Sequence, residues 1–289
     1  MRAEKMRLMV LTHGSLKAIV IIERLLALEC AEVVAVFVET ETSKSYTLKE
    51  KIKRSIRYDG VFGTIKKYSK KFLPPLRKTA VKNLKPSRSS YERLRDLATD
   101  SGFLAHFVSN FHLPESLELM RQTEADLGVV LGTNILKESV FSIPRLGCIN
   151  THQGLAPFYR GGPPVFWELF NDETEVGLTV HFVAAKVDTG EIIIQETLPL
   201  IYDYRYGLNY EPFIESFREK LSDRAAELVP RAVQLLADGK AILTPQNIAL
   251  GKRYRLPVKK EKDELRRRLR ARLRQQSSAI QENAEVSNQ

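Results

Sequence analysis

The sequence predicts an α/β fold built on a mostly parallel, doubly wound sheet. Short apolar runs of strand length recur along the chain, and stretches with helical spacing of apolar residues separate most of them. The run over residues 33–38 is rich in Val, as is typical of a central strand in a parallel sheet. In such sheets ligands bind at the carboxyl ends of the strands.

The elements follow in order from the first strand, predicted over residues 7–11. The turn Thr12-His13-Gly14-Ser15 leads from it into a helix over 16–29, and the start of a helix after such a turn offers backbone N–H groups to an anion. The second strand spans 33–38. Later strands are predicted over 105–108, 127–131, 146–149, 176–183 and 192–200, and later helices over 114–123, 165–170 and 212–237.

Two basic segments accompany this framework. Between Lys49 and Arg88 there are 14 basic residues against two acidic ones, and between Lys252 and Arg274 there are 12 against three. The net charge of +10 therefore hides an acidic body with two basic appendages. The first segment falls in a predicted basic helical insertion over 41–101, which would either pack on the body as solvated surface or bind anions or a membrane surface.

We expect a catalytic domain over 1–245 that contains the insertion, followed over 246–289 by a connector, a basic helix and a tail. Leu265, Leu269 and Leu273 recur every fourth residue among arginines, and this spacing predicts a basic C-terminal helix over 263–274. The polar stretch 277–289 predicts disorder.

Composition limits the class of protein further. No apolar run approaches the roughly 18 residues that a spanning helix needs, and residues 1–5 do not lead into a signal-peptide pattern, so we expect a cytoplasmic protein without a transmembrane segment. The two cysteines, Cys30 and Cys148, predict neither a disulfide framework nor a metal site.

Residues suited to chemistry follow two of the later apolar runs. Asn150 and His152 stand two residues apart, so in extended chain their side chains point to the same side. A protonated His152 and the Asn150 amide supply donors for charge that develops on oxygen, while Asp188 keeps the imidazole protonated and accepts a proton from an amine. The set favours attack of an amine on a carbonyl-like carbon; alternatively, all three are strand-capping and turn residues.

Four stretches of the chain carry a resemblance to a known family. They are Asn150-Thr-His152, Leu155-Ala156-Pro157-Phe158-Tyr159-Arg160-Gly161, Gly177-Leu-Thr179-Val-His181-Phe182 and Val187-Asp188-Thr189-Gly190. In this order and spacing they closely resemble the signature of the folate-dependent formyltransferases, whose members act on glycinamide ribonucleotide, methionyl-tRNA or the amino sugars of nucleotide sugars. The resemblance covers about 127–200 well and 41–101 not at all. Many members have Ser-Leu-Leu-Pro where this chain has Gly154-Leu155-Ala156-Pro157.

The resemblance implies a Rossmann-like domain of the formyltransferase type and a set of site residues. It assigns catalysis to Asn150, His152 and Asp188, with 10-formyltetrahydrofolate as co-substrate and no metal. The folate pocket would have Asn134, Ile135 and Leu136 on one wall and Ala185, Lys186 and Val187 on the other. Acceptor contacts would come from Gly14, Ser15, Lys17 and Arg160, although Arg160 equally fits a role in bracing its loop.

The resulting expectation is a one-carbon transferase that formylates a primary amine. A small, anionic acceptor such as an amino sugar or a nucleotide-linked amine is favoured, because the 32 residues after Pro257 leave no room for the second domain of the tRNA-formylating branch. A methionyl-tRNA formyltransferase is the alternative, since the basic segments suit phosphates. A third hypothesis is a catalytically silent protein of this fold that binds RNA or an anionic membrane surface through the two basic segments.

Overall fold

The structure, a computed structural model, describes residues 4–41, 47–69 and 88–286. Seven of its strands form one sheet in the order β3-β2-β1-β4-β5-β7-β8, and β6 pairs with β9 in a small second sheet. The strands are β1 (Met6–Thr12), β2 (Ala31–Glu39), β3 (Leu104–Val108), β4 (Leu127–Leu131), β5 (Cys148–His152), β6 (Tyr159–Gly161), β7 (Glu175–Phe182), β8 (Ile192–Pro199) and β9 (Lys252–Tyr254).

The main sheet is parallel from β3 to β5 and becomes antiparallel at β7 and β8. The mostly parallel, doubly wound sheet that the sequence predicts is therefore confirmed. Neighbouring positions of β1 divide between the two faces: Leu8 and Val10 belong to one apolar cluster, and Met9 and Leu11 to the other. All four are fully buried, which explains why the run is continuously apolar rather than alternating.

Helices cover both faces of this sheet. They are α1 (Leu16–Leu26), α2 (Leu48–Ser69), α3 (Arg88–Ser101), α4 (Pro114–Arg121), α5 (Glu138–Phe141), α6 (Phe166–Phe170), α7 (Tyr210–Ala237) and α8 (Lys259–Val286). Buried residues of α1, α3, α6, α7 and α8 belong to the larger core cluster, and those of α4 and α5 to the smaller one. The helix α7 carries a long apolar stripe, and it packs against α1 and the strands.

The described part of the insertion is helical. In α2 the helix is interrupted at Gly60, whose φ of 74° suits glycine, and α3 packs Leu94 and Ala98 into the main core. Residues 70–87, which carry much of the basic charge between Lys49 and Arg88, lie outside the described residues.

The C-terminal helix is longer than the sequence predicts. It runs from Lys259 to Val286, so it continues through most of the stretch for which we expected disorder. Residues 277–286 contain no Gly or Pro and include Ala, Gln and Glu, and these helix-favouring residues extend a helix that Leu265 and Leu269 already anchor in the core. No helix in the described ranges is both long and apolar enough to cross a membrane.

We predict that removal of either anchor will destabilise the protein. Leu265→Ala and Leu269→Ala should each lower the free energy of unfolding by about 2–5 kcal/mol, because each leaves a cavity in the core. Chemical denaturation measures this change, and Leu273→Ala, at a half-buried position of α8, is the matched control that should cost less. Negligible costs at Leu265 and Leu269 would contradict the packing of α8 on the body.

Candidate active site

The strand β5 presents the first two residues of interest. It spans Cys148–His152, so it extends further than the apolar run 146–149 predicts. The reason is tertiary: Asn150 lies opposite His181 and His152 opposite Thr179 in the antiparallel ladder with β7, and backbone pairing continues the strand through polar residues. Among the described residues, none makes a hydrogen bond to the side chain of Asn150, which lines a pocket and leaves its amide available to a ligand.

Asp188 lies in the loop after β7 and brings its carboxylate back to β5. Its φ of 54° is in the left-handed region, which Asp tolerates better than most residues. The backbone N–H of Gly161 donates a hydrogen bond to Oδ2 at 2.9 Å. The same oxygen lies 3.4 Å from Nδ1 of His152, and Oδ1 lies 3.5 Å from Nε2 of His181. The carboxylate is therefore held between two imidazoles and a backbone amide.

Both ring nitrogens of His152 face oxygen atoms. Nε2 lies 2.6 Å from the carbonyl oxygen of Tyr159 and must donate a proton to it, while Nδ1 faces the carboxylate of Asp188. A neutral ring would point a lone pair at that carboxylate, so the doubly protonated imidazolium suits this geometry best. His152 is buried behind Asp188, and direct donation from Nδ1 to a ligand would require that the contact with Asp188 opens.

The charges of the pair depend on each other. Burial alone would raise the pKa of Asp188, but the contacts with His181, His152 and the Gly161 amide lower it to about 2. Burial lowers the pKa of His152 below its ordinary value, and the charge of Asp188 offsets that effect only in part. Asp188 is therefore ionised throughout the neutral range, and its charge favours the protonated form of His152.

His181 is the site residue to which the sequence reasoning gave no role. It is 2 % exposed and its Nδ1 lies 2.8 Å from the carbonyl oxygen of Phe182. Its position two residues after Thr179 on β7 places it opposite Asn150, a register that no local pattern reveals. A His two residues after a Thr in the predicted apolar strand 176–183 was the signal in the sequence that could have identified it.

Gly154 is required by the position of His152. A Cβ atom at residue 154 would lie 2.4 Å from Nε2 of His152 and 2.5 Å from the carbonyl oxygen of Tyr159, between the two atoms that form the hydrogen bond. The loop is held from below by Thr179, whose hydroxyl donates to the carbonyl of Gly154 at 2.8 Å, and by Gln195, whose amide donates to the carbonyl of Ala156 at 2.8 Å. The departure from Ser-Leu-Leu-Pro thus removes the side chain at the position nearest His152.

A pocket beside Asn150 has the walls that were predicted for folate. Its volume is about 170 Å³, and Asn150, His181 and Asp188 are among its lining residues. The other lining residues include Asn134, Ile135, Leu136, Ala185 and Val187. Lys186 is exposed and is not among the lining residues, so the structure places five of the six predicted contacts at the pocket.

The residues predicted for acceptor contacts lie elsewhere or serve the fold. Ser15 caps α1 by accepting a hydrogen bond from the N–H of Ala18 at 3.2 Å, and Lys17 is exposed on α1. The N–H of Gly14 donates to Oγ1 of Thr12 at 3.1 Å. Within the described ranges, none of these three residues is a hydrogen-bond or ion-pair partner of His152 or Asp188.

Arg160 acts as a brace in this structure. It is buried, and its guanidinium donates to the carbonyl oxygens of Pro157 at 3.1 Å and Ile248 at 3.3 Å. These bonds, together with the pairing of β6 with β9, fix the loop whose Gly161 amide holds Asp188. The sequence left two roles open for Arg160, contact with an acceptor and bracing of its loop. The contacts in the described part of the chain are those of a residue that braces its loop.

This arrangement places the amide of Asn150 and the ionised carboxylate of Asp188 in the lining of one pocket, with the buried imidazole of His152 against that carboxylate. The amide and the imidazolium can stabilise negative charge on oxygen, and the carboxylate can accept a proton. The geometry suits addition of a nucleophile to a carbonyl group.

Comparison with known proteins adds three findings. The family model described as formyl transferase matches residues 6–213. A methionyl-tRNA formyltransferase from Syntrophus aciditrophicus (strain SB) is 36% identical over 149 residues, which are 51% of this chain and 45% of that protein. One from Parabacteroides distasonis is 38% identical over 130 residues, 45% of this chain and 38% of that protein. The chain thus spans less than half the length of these curated relatives.

Solved structures share the fold at low sequence identity. Glycinamide ribonucleotide transformylase 1 from Symbiobacterium toebii superposes with a TM-score of 0.54 at 17% identity and covers 85% of this chain and 96% of its own. A sugar N-formyltransferase from Shewanella sp. FDAARGOS_354 gives a TM-score of 0.52 at 16% identity, covering 86% of this chain and 76% of its own.

We predict that Gly154→Ala will displace His152, because the added methyl group cannot occupy the 2.4 Å gap to Nε2. The downfield proton signal of an imidazole N–H that donates at 2.6 Å should be present in the wild-type NMR spectrum and lost in the variant. Gly63→Ala in α2 is the matched control, where the new Cβ would meet only the Cβ of Asp59, at 3.0 Å. Retention of the signal in Gly154→Ala would contradict this packing.

Proposed function

The chain belongs to the formyl transferase family, and from that premise we propose that it transfers a formyl group from 10-formyltetrahydrofolate to a primary amine. The observation that carries the proposal is the position of Asp188, whose carboxylate contacts His152 and lines the same pocket as Asn150. A new bond forms between the amine nitrogen and the formyl carbon, and the bond from that carbon to the donor nitrogen breaks. The amine loses a proton, and the released donor nitrogen gains one.

The pocket beside Asn150 suits one ring system of a folate. Its volume of about 170 Å³ is below the range of roughly 300–1,000 Å³ that holds a whole drug-sized ligand, so the remainder of the molecule would extend outside it. Leu136 and Val187 supply apolar walls. The bound donor supplies the formyl carbon; the other roles fall to residues of this chain.

Each of the three residues has a distinct role in the proposal. Asn150 donates its amide to the oxygen on which negative charge develops. The imidazolium of His152 adds positive charge beside it. Asp188 accepts the proton of the amine, directly or through water. A carboxylate with a pKa of about 2 is ionised but weakly basic. Because the contacts with His181 and His152 lower this pKa, lengthening of either contact would make Asp188 a stronger base.

Two classes of acceptor fit the proposal. A small, anionic amine is favoured by the ion pairs of the C-terminal basic helix. Several arginines of this helix pair with carboxylates of the body, so their charge is already partly neutralised without the phosphates of a tRNA. Arg266 contacts Glu211, Arg272 contacts Asp172, and Nη1 of Arg268 lies 4.0 Å from Oδ2 of Asp172. Methionyl-tRNA is favoured by the relatives that are named methionyl-tRNA formyltransferases.

A screen of amine acceptors tests the proposal. We expect a gain in mass of one formyl group on an amino sugar nucleotide or related small amine in the presence of 10-formyltetrahydrofolate, and saturable calorimetric binding of 5-formyltetrahydrofolate. The screen includes methionyl-tRNA, whose binding should fall steeply with salt if the basic segments contact its phosphates. Anionic vesicles in the same salt series test the membrane alternative. Absence of folate binding up to millimolar concentration would remove the proposal.

We further predict that Asp188→Asn will lower kcat by about 10²–10⁴-fold, because it removes the proton acceptor at constant size. Asn150→Ala should cost about 10²–10³-fold. His152→Ala combined with Asp188→Asn should cost much less than the product of the two single effects, because the residues act as one unit. Folate binding, measured by calorimetry, should remain in each variant, and Asp100→Asn, an exposed substitution of the same kind, should match wild type.

The same variant gives a pH dependence with a definite sign. Protonated His152 is the active form, so kcat should fall as pH rises through its pKa. Burial lowers that pKa and Asp188 opposes the effect, so loss of the charge in Asp188→Asn should shift the alkaline limb of the residual activity to lower pH. Turnover within about threefold of wild type, or an unshifted limb, would contradict the roles given to the pair.

A further inference from the structure

A second cavity among the described residues lies outside the pocket of Asn150. Its volume is about 780 Å³, within the range of small-molecule sites. It is bounded by α2, by the start of α7, by the loop before α6 and by the residues that lead into α8. The insertion and the C-terminal segment, which the resemblance to formyltransferases does not explain, thus form walls of one cavity.

Contacts between the two appendages hold this cavity closed on one side. Nζ of Lys262 donates to the carbonyl oxygen of Tyr58 at 2.9 Å and lies 3.5 Å from Oδ1 of Asp59. The turn at Gly60 leaves room for the side chain of Lys259, which would meet a Cβ atom there at 2.2 Å. The wall that α2 forms therefore depends on side chains of α8 that lie about two hundred residues away in sequence.

The floor of the cavity is apolar and aromatic. The rings of Phe166 and Tyr210 meet edge to face with centroids 5.9 Å apart, and Ile214 and Leu256 extend the apolar surface. Tyr58 adds a third aromatic ring from α2. Such a floor suits a planar or aliphatic group of a ligand.

The charge around the floor is positive. The lining includes five cationic and three carboxylate side chains. The carboxylates are already paired: Asp59 lies 3.6 Å from Lys67 and 3.5 Å from Lys262, Glu215 lies 3.6 Å from Arg218, and Glu211 contacts Arg266 outside the lining. Lys51 and Arg54 on α2 are the other two cationic residues of the lining.

The cavity is connected with the candidate active site through one loop. Pro163 lines the cavity, and Arg218 from α7 donates to the carbonyl oxygen of Pro164 at 3.1 and 3.2 Å. Gly161, two residues before Pro163, donates its N–H to Asp188. A ligand in the cavity would therefore contact the same loop whose Gly161 N–H holds the carboxylate of Asp188.

We propose that this cavity binds an organic phosphate, with the phosphate on Lys51 and Arg54 of α2 and an aromatic or aliphatic group on Phe166, Tyr210 and Ile214. The idea that the cavity anchors the acceptor rests on the proposed formyl transfer. Binding of an organic phosphate in the cavity is tested without that reaction. The chemistry is shared by nucleoside phosphates and by phospholipid head regions, which differ in the group that would occupy the floor.

Calorimetry with four probes distinguishes these sources. The probes are UDP, uridine, pyrophosphate and dihexanoyl phosphatidic acid below its micelle concentration, each added to the full-length protein without folate. Binding of UDP or of the phosphatidic acid in clear preference to both pyrophosphate and uridine supports the proposal and identifies the source of the ligand. Trp167, the sole tryptophan, packs edge-on to Phe166 at 5.2 Å and should report the same binding by fluorescence.

A pair of double variants tests the location. Lys51→Glu with Arg54→Glu should weaken binding of the preferred probe by about tenfold or more, a change of about 1.4 kcal/mol or more. Lys49→Glu with Lys53→Glu makes the same change of charge on the same helix at residues outside the lining and should bind within about threefold of wild type. All four positions are exposed, and circular dichroism verifies folding.

The outcomes separate this proposal from the formyl transfer. Binding that Lys51→Glu with Arg54→Glu abolishes and Asp188→Asn leaves intact supports the cavity even if no acceptor is formylated. No saturable binding of any probe, pyrophosphate binding as tightly as UDP and phosphatidic acid, or equal loss in the two double variants would overturn the cavity proposal, whether or not formyl transfer occurs.

Discussion

The carboxylate of Asp188 is the group on which the organisation of the candidate site depends. A buried carboxylate is costly unless opposite charges and hydrogen bonds compensate it, and here the compensation comes from three parts of the chain. His152 from β5, His181 from β7 and the N–H of Gly161 from β6 all face its two oxygens. The same contacts that keep the carboxylate ionised therefore fix the relative positions of two strands and a loop.

The surroundings of His152 show how closely this arrangement is packed. Its Nε2 bonds to the backbone of Tyr159, and Gly154 lies so close that no side chain fits there. Thr179 and Gln195 hold the backbone of the same loop from the strands below. A side chain at residue 154 would thus displace the imidazole of His152, and this displacement would change the contact between His152 and the carboxylate of Asp188.

The excess of basic residues has a structural explanation in the described part of the chain. Arg266 and Arg272 of α8 reach Glu211 and Asp172 of the body, and Lys262 reaches Asp59 of α2. The acidic body and the basic appendages are thus complementary surfaces of one fold. Ion pairs at a partly exposed surface contribute modestly to stability, but these pairs set the position of α8. Burial of Leu265 and Leu269 supplies the larger part of the attachment.

The sequence by itself predicted the fold class, the seven strands of the main sheet in chain order, and Asn150, His152 and Asp188 as candidate site residues, since apolar runs, helical spacing and short motifs are local properties of the chain. Tertiary structure decided what depends on register and on distant partners. It extended β5 through the polar residues, placed His181 beside Asp188, engaged Arg160 with backbone carbonyls, and joined α2 to α8 around a cavity. These features arise from pairs of residues far apart in sequence, and local patterns carry no information about which distant surfaces come into contact when the core is buried.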